Sequence, residues 1–335
     1  MGKLLEVKNL QVSYNTYAGE VRSVRGITFD VNEGETVAIV GESGCGKSVT
    51  AKAIMGLIQT PPGEIKKESE ILYKGENILN FNEKQWINYR GGECSIIFQD
   101  ALTALNPTMK VGKQIAENIA AHRSMSREEV KKEAIKLIQM VGIANAEKRF
   151  NQYPHEFSGG MRQRIMIAIA LACNPKLLVA DEPTTALDVT IQAQILELIM
   201  NLQKRLGTSV IMITHDLGVV ADIAQRIVVM YSGKIVESGT SDEIFYNPKH
   251  PYTWALLKAV PRLDLKNKEE LTAIEGAPPD LIAPPEGCAF STRCKYCMKI
   301  CLKEAPQKTD FEETHRAYCW RYHPKAPRIE MGGDI

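Results

Sequence analysis

The chain has 335 residues, of which 44% are apolar and 24% are charged, a composition that excludes wholesale disorder and allows a large buried core. Its length favours one large domain with an appendage, or two domains. The 41 Lys and Arg residues against 40 Asp and Glu residues give a net charge of +1, which argues against a general nucleic-acid coat or a polybasic membrane binder.

The sequence carries no sign of a membrane span or a secretion signal. No apolar run reaches the ~18–20 residues that cross a bilayer, and residues 1–11 lack the apolar region of a signal peptide. We therefore expect a cytosolic chain, in which the eight cysteines do not form stable disulfides.

Strands and helices alternate along most of the chain. The patterns predict strands over 3–14, 20–31, 36–40, 95–98, 177–180, 209–214 and 226–231, short strands within 60–75, and helices over 48–58, 110–142, 159–173, 190–206, 217–224 and 252–260. This alternation predicts an α/β fold with a mixed, mostly parallel sheet and helices on its faces. Prolines become frequent after about residue 245, which indicates a separate C-terminal appendage.

A glycine-rich stretch follows the predicted strand 36–40. Residues 41–48 read Gly-Glu-Ser-Gly-Cys-Gly-Lys-Ser, which fits the phosphate-binding loop pattern between a strand and a helix. Its backbone N–H groups and the helix N-terminus attract phosphate oxygens. Lys47 can reach the β- and γ-phosphates of a nucleotide, and the Ser48 hydroxyl can bind Mg²⁺. Cys45 occupies a variable position of the pattern and is interpreted as a spacer.

Two acids end the predicted strand 177–180. Asp181 and Glu182 would lie at the carboxyl edge of a parallel sheet, where ligands bind. Asp181 would hold Mg²⁺, directly or through water, and Glu182 would orient or deprotonate the attacking water. Such a pair can also be a strand end satisfied by backbone donors, an interpretation that the phosphate loop makes much weaker.

A second anion-binding pattern opens the predicted helix 159–173. Ser158-Gly159-Gly160 places small residues at a helix start, which by itself is more often only a helix cap. Because one chain needs a single phosphate loop, this stretch suggests that it completes a nucleotide pocket of another subunit.

Together these motifs resemble the ATP-binding subunits of ABC transporters in order and spacing: the phosphate loop, Gln99 after a strand, a helical insert, Ser158-Gly159-Gly160, Asp181-Glu182, Ala186-Leu187-Asp188, then His215. The resemblance implies a P-loop NTPase domain over residues 1–245, with an N-terminal antiparallel β-subdomain and a helical subdomain at about 100–165. Phe157 and Met161 stand where Leu and Gln are usual in the family, but the serine and glycines that would face phosphate are kept.

The resemblance also implies roles for residues that would be unreadable alone. Tyr14 would stack on adenine, with Tyr17 as the alternative; Gln99 would meet Mg²⁺ and water and link the site to membrane subunits. Asp188 would organise the contact between two nucleotide domains, and His215 would contact the γ-phosphate. The implied ATP-binding set is Tyr14, Gly41, Ser43, Gly44, Cys45, Gly46, Lys47, Ser48, Val49, Ser158, Gly159, Gly160 and Asp188, with Glu182, His215 and Gln99 catalytic and with Ser48, Gln99 and Asp181 around Mg²⁺.

A mechanism follows from the resemblance. Two such domains, identical or homologous, would meet head to tail and enclose two ATP molecules. Binding would close the pair and hydrolysis would reopen it, so the chain would be an ATPase that does mechanical work on two membrane-spanning subunits.

Three further stretches resemble the dipeptide, oligopeptide and nickel uptake branch of the family, closest to its dipeptide members. They are residues 100–112, His250-Pro251-Tyr252-Thr253, and the cysteine-containing tail. In that branch an extracytoplasmic binding protein captures the solute, and the ATPase subunit lies peripherally on the cytoplasmic side of the membrane. The appendage would then be a C-terminal extension over 246–335.

Five cysteines crowd the extension: Cys288, Cys294, Cys297, Cys301 and Cys319. Thiols at this density in a reducing compartment usually bind metal, and from spacing alone a [4Fe–4S] cluster, a zinc ion and free thiols all stay open. The resemblance favours a cluster on Cys288, Cys294, Cys301 and Cys319, with Cys297 as an alternative ligand. A short segment with little core needs such a staple, although a redox role stays open.

Two other classes of function compete. A soluble ABC ATPase acting on nucleic acid or ribosomes usually fuses two nucleotide domains or carries long insertions, and neither occurs in this chain. A non-catalytic regulator is disfavoured because every expected catalytic position is filled. We therefore expect no nucleic-acid partner.

Overall fold

A computed structural model describes residues 2–185, 187–259 and 274–327. They divide into two units. Unit 1 contains the first residues to Leu4, Val31–Thr36 and Asn77–Ile213, and unit 2 contains Leu5–Asp30, Val37–Glu76 and the chain from Thr214 onward. The predicted domain limits at 245 and 246 do not follow these units and stay a prediction.

The described strands are β1 (Lys3–Thr16), β2 (Gly19–Asn32), β3 (Thr36–Val40), β4 (Gly63–Ile65), β5 (Glu70–Tyr73), β6 (Glu76–Asn77), β7 (Cys94–Ile97), β8 (Leu177–Asp181), β9 (Ser209–Thr214), β10 (Arg226–Tyr231), β11 (Lys234–Thr240), β12 (Lys308–Asp310) and β13 (Arg316–Tyr318). The α-helices are α1 (Lys47–Ile54), α2 (Glu83–Tyr89), α3 (Ala101–Ala104), α4 (Val111–His122), α5 (Arg127–Met140), α6 (Ala146–Arg149), α7 (Gly159–Ala170), α8 (Val189–Leu206), α9 (Leu217–Val220), α10 (Ser241–Tyr246), α11 (Pro251–Lys258) and α12 (Lys299–Lys303).

Unit 1 is built on parallel strands. β8 lies between β7 and β9, with Leu177 opposite both Cys94 and Ser209. Every residue of β8 and β9 is buried, as expected for central strands covered on both faces. Because the strands are parallel, the residues that follow β7 and β8 meet at one edge of the sheet. Helices α4, α5 and α7 pack against one another within the predicted helical subdomain.

The helical pattern over 110–142 corresponds to two helices. α4 ends at His122, and Ser126 starts α5 with a capping box. The Ser126 backbone N–H donates to Glu129 Oε2 at 2.8 Å, and the Glu129 N–H donates to Ser126 Oγ at 3.4 Å. This reciprocal pair satisfies N–H groups that a helix start leaves without an internal acceptor, so a new helix begins where the sequence pattern runs on.

Unit 2 contains two groups of strands. The first is the predicted N-terminal antiparallel sheet, in the order β2-β1-β5-β6, with β4 also paired to β1. In the second group β3 and β10 are parallel, with Val37 opposite Arg226, and β10 continues antiparallel to β11 and then to β13 and β12. The sequence patterns did not predict β6, β11, β12, β13, α2, α3, α6, α10 or α12. These elements are short or polar, so their periodicity is weak.

The C-terminal extension is anchored on β11 through a buried carboxylate. Glu237 and His315 are both fully buried, and their side chains approach at 2.8 Å between Oε1 and Nε2. The backbone N–H groups of Lys249 and His250 also donate to the Glu237 carboxylate, at 2.6 and 2.8 Å. One side chain therefore satisfies three polar groups from two segments of the extension.

Glu237→Leu is expected to loosen this anchor. The substitution leaves the three donors without their acceptor, and removing one partner of a buried pair costs about 3–5 kcal/mol. Hydrogen–deuterium exchange of peptides covering residues 234–258 should report a drop of that size in opening free energy. Glu286→Leu, at an exposed position of the same unit, is the control and should shift it by less than about 0.5 kcal/mol. Equal exchange in the two variants would contradict the anchoring role.

Candidate functional site

The phosphate loop leaves the fully buried strand β3 and enters α1. Glycine is required at two of its positions. At Gly41 (φ +152°) a Cβ would lie 2.1 Å from the carbonyl oxygen of Met230, and at Gly46 (φ +101°) it would lie 2.4 Å from that of Ser23. These are backbone atoms that cannot move aside, so the loop fits its surroundings only with glycine at both positions.

The Lys47 side chain folds back onto the loop that precedes it. Its side chain is buried, and Nζ donates to the carbonyl oxygens of Gly41 and Glu42 at 2.8 and 3.0 Å. Cys45 Sγ lies 3.9 Å from the same Nζ, and burial raises the pKa of this thiol. The ammonium therefore lies at the N-terminus of α1, where a phosphate group could replace the carbonyl oxygens as its partner.

The exposed part of the loop is its tip. Ser43 and Gly44 are exposed, whereas Ser48 and Val49, in the first turn of α1, are half-buried. The tip is thus open to a ligand, while both ends of the loop are held.

The carboxylate pair lies at the end of β8 in unit 1. Asp181 is the last residue of the strand and is buried. Glu182 follows with φ +46°, and its backbone N–H donates to the Ile213 carbonyl oxygen at 2.9 Å. A non-glycine residue in this region of φ is uncommon and costs about 1–3 kcal/mol, and such strain concentrates at functional sites.

Gln99 and Thr185 both contact the Glu182 carboxylate. Gln99 Nε2 and Thr185 Oγ1 donate to Glu182 Oε2 at 3.0 and 2.9 Å. Gln99 follows β7 by two residues, so the parallel pairing of β7 and β8 brings the two side chains together. The sequence singled out Gln99 but missed Thr185, although its position three residues after Glu182 was a usable signal.

The remaining predicted site residues of unit 1 lie at the N-termini of two helices, α7 and α8. Ser158 caps α7, with Met161 N–H donating to Ser158 Oγ at 3.4 Å, and Ser158 and Gly159 are exposed. Asp188 caps α8, with Ile191 N–H donating to Asp188 Oδ1 at 3.0 Å. A Cβ at Gly160 would lie 2.8 Å from Ile191 Cγ2, so the two helix starts approach closely. Ala186, part of the predicted motif, lies outside the described residues.

Three further predicted residues belong to unit 2. His215 follows β9 and is exposed. Tyr14 lies on β1 opposite Gly63 and is half-buried; burial raises the pKa of its phenol. Tyr17, the alternative to Tyr14, is completely exposed in the turn between β1 and β2.

Four of the five clustered cysteines line one small cavity. They are Cys288, Cys294, Cys301 and Cys319, and His250 lines the same cavity. Cys297 is exposed, and its Sγ lies 3.6 Å from the Met298 carbonyl oxygen. The four thiols that share the cavity are the four predicted ligands. None of the eight cysteines, all within the described residues, forms a disulfide.

Three of the cysteines that line the cavity have thiols that are protonated at neutral pH. Burial raises the pKa of Cys288 to about 12 and the pKa values of Cys294 and Cys319 to about 11. The cavity volume is about 10 Å³, and across the described ranges no group of three or more His, Cys, Asp or Glu side chains is arranged to hold a metal ion. The thiols therefore share one cavity without forming a finished metal site.

His250, which also lines the cavity, has a buried side chain that carries a hydrogen-bond donor. Its Nδ1 accepts the backbone N–H of Tyr252 at 3.1 Å, which leaves the proton of a neutral ring on Nε2. Burial lowers the pKa of His250 to about 3, so the ring is neutral at physiological pH. Among the described residues Nε2 has no hydrogen-bond partner, an uncommon state for a buried polar atom.

Comparison with known proteins identifies the family. Residues 24–185 match the ABC transporter family, and residues 236–301 match the C-terminal region of oligopeptide and dipeptide transporters. The chain is 58% identical to the oligopeptide transport ATP-binding protein OppD of Bacillus subtilis, over 98% of this chain and 91% of that protein. The chain belongs to the ABC transporter family.

Other members extend this comparison. The dipeptide transport ATP-binding protein DppD of Bacillus subtilis is 52% identical, over 100% of this chain and 99% of that protein. Among solved structures, a dimeric post-hydrolysis state of the ATP-binding cassette MJ0796, bound to ADP and Pi, has a TM-score of 0.63 and 27% identity. It covers 71% of this chain and 98% of that cassette.

No helix in the described ranges is both long and apolar enough to cross a membrane. The matched relatives are ATP-binding proteins, so within the ABC family this chain supplies an ATP-binding component. The match of its C-terminal region assigns it to the oligopeptide and dipeptide branch.

Proposed function

We propose that the chain hydrolyses ATP to power the import of oligopeptides or dipeptides through a membrane transporter. The observation that carries the proposal is the 58% identity to an oligopeptide transport ATP-binding protein over 98% of this chain. The match includes the C-terminal extension and extends well beyond the nucleotide-binding motifs.

The nucleotide chemistry is assigned residue by residue. Lys47 and the N–H groups of residues 41–49 bind the ATP phosphates, Tyr14 stacks on adenine, and His215 contacts the γ-phosphate. Ser48, Gln99 and Asp181 offer the oxygen ligands that Mg²⁺ prefers, and the bound ion neutralises charge on the phosphates. Glu182, held by Gln99 and Thr185, accepts a proton from the attacking water.

The chain acts as one half of a nucleotide-binding pair. Ser158, Gly159 and Gly160 at the start of α7 would face the ATP of the other subunit, and Asp188 would organise the contact. The exposure of Ser158 and Gly159 and the similarity to a dimeric cassette support this arrangement. The second subunit is another copy or a related ATPase.

The partners follow from the proposed branch. Two membrane-spanning subunits conduct the peptide, an extracytoplasmic binding protein delivers it, and the chain lies peripherally on the cytoplasmic side of the membrane.

For the extension we propose a [4Fe–4S] cluster on Cys288, Cys294, Cys301 and Cys319, with zinc as the competing occupant. The chemistry of the donor set supports it, because four cysteines and His250 line one cavity, and a histidine N–H can donate to a thiolate. Metal binding would deprotonate the thiols and replace the missing core of the segment.

Lys47→Ala tests the proposal in the assembled transporter. The variant loses a charge-assisted contact of about 1.5–3 kcal/mol to the phosphates, so ATP affinity should fall about 10- to 100-fold and peptide uptake by proteoliposomes should stop. The variant should still co-purify with the two membrane subunits. Lys52→Ala, at an exposed lysine of α1, is the matched control. Unchanged ATP affinity would remove Lys47 from its role, and purification without membrane subunits would argue against transport.

A further inference from the structure

The C-terminal extension contacts the phosphate loop through hydrogen bonds to one residue, Glu42. The Glu42 backbone N–H donates to Tyr252 Oη at 2.9 Å, and its Oε2 accepts from Arg293 at 2.7 Å. Its carbonyl oxygen accepts from Lys47 Nζ at 3.0 Å. Residues distant in sequence therefore fix both the main chain and the side chain at the second position of the loop.

Tyr252 and Arg293, the side chains that contact Glu42, are held in place by packing and hydrogen bonds. Tyr252 is fully buried, and its ring lies 4.6 Å from that of Tyr231 and 5.3 Å from that of Phe290, between centroids. The Arg293 side chain is only 5% exposed. Its remaining N–H groups donate to the carbonyl oxygens of Ile274 and Glu275 and to Tyr231 Oη. A guanidinium fixed at so many points cannot follow a moving partner, so it holds Glu42 in one place.

The contact with Arg293 also matters for the charge of Glu42. A carboxylate one residue into a phosphate-binding loop repels the phosphates, and Arg293 compensates it within an ion pair that is largely shielded from water. Arg293 also directly precedes Cys294, one of the four cysteines around the cavity. The same short segment therefore borders the phosphate loop and the cysteine cavity.

We infer that Tyr252 and Arg293 are positioning residues for ATP binding, which hold Glu42 and its charge so that the phosphate loop is preformed for the nucleotide. The inference rests on the proposed role of residues 41–49 in binding ATP. A preformed loop does not lose conformational freedom again when the ligand arrives, and this raises affinity. The effect should appear in ATP affinity more than in turnover at saturating ATP.

Four variants of the full chain separate positioning from folding. Arg293→Met removes the ion pair, and ATP affinity should fall about tenfold while kcat changes less than about twofold. Arg293→Lys keeps the charge near Glu42 but cannot make the same fork of contacts, and it should recover most of the affinity. Tyr252→Phe removes one hydroxyl group and should weaken ATP binding a few-fold. Lys295→Met removes a charge two residues from Arg293, in an exposed pair with Glu275, and should change nothing.

A double variant tests whether Arg293 acts through Glu42. If it does, Arg293→Met combined with Glu42→Gln should bind ATP no more weakly than Arg293→Met alone, because the contact is already lost. Losses that multiply would overturn the inference. So would wild-type affinity in both Arg293→Met and Tyr252→Phe.

Coupling between binding events is reciprocal, which provides a measurement independent of turnover. Hydrogen–deuterium exchange in residues 286–303 should slow when a non-hydrolysable ATP analogue binds, and Arg293→Met should abolish that slowing. Slowing that persists in the variant would contradict the inference. Lys47→Ala serves as the reference: if it binds ATP like the wild type, the proposed role of the loop fails, whatever the Arg293 variants do.

Discussion

Glu182→Gln is expected to lower ATP turnover by about 10²- to 10⁴-fold, the range that a positioned general base contributes, while ATP still binds. An amide of the same shape cannot accept the proton of the attacking water. Because hydrolysis reopens the closed pair in the proposed mechanism, the variant should also accumulate as an ATP-bound dimer. Steady-state phosphate release and size-exclusion chromatography with ATP measure the two effects.

The contacts of Glu182 sharpen this experiment. Gln99 and Thr185 both donate to Oε2, so the glutamine must present its carbonyl oxygen to them in order to keep the local structure. Glu197→Gln makes the same chemical change on an exposed face of α8 and should leave turnover unchanged. Turnover of Glu182→Gln within about twofold of the control would remove Glu182 from the proposed role.

The second prediction with a large expected effect concerns the iron and sulfide content of the purified chain. Purified without oxygen, the chain is expected to hold about four iron atoms and about four sulfides, as a four-thiolate cluster requires. Cys294→Ser should lose nearly all of them, because it removes one of the four thiols around the cavity. Cys297→Ser is the matched control, since its thiol is exposed three residues away, and it should keep the full content.

Each other result has a distinct meaning. Zinc at about one ion per chain would replace the cluster by a structural zinc site, and absence of metal would leave a packed thiol cavity. Loss of iron in Cys297→Ser, with retention in Cys294→Ser, would make Cys297 the fourth ligand. None of these results would affect the assignment of the ATPase.

Much of the fold and of the candidate site could be predicted from short stretches of the sequence. The phosphate loop, the Ser-Gly-Gly stretch and the acid pair are contiguous segments whose chemistry depends on residue types at fixed spacing. Most of the predicted helices and the longer of the predicted strands were also correct to within a few residues, because their apolar patterns are strong. The family assignment rested on these same segments, and the comparisons confirm it.

Only tertiary structure could decide what brings distant segments together. Gln99 reaches Glu182 because β7 and β8 are parallel neighbours, and Glu237 receives donors from residues 249, 250 and 315. Spacing did not distinguish the five cysteines and the resemblance favoured four of them, whereas folding placed those four around a cavity and Cys297 outside it. Tyr252 and Arg293 have no local signal that connects them with Glu42. A side chain's neighbours in space depend on chain topology and packing, and neither is encoded in spacing along the sequence.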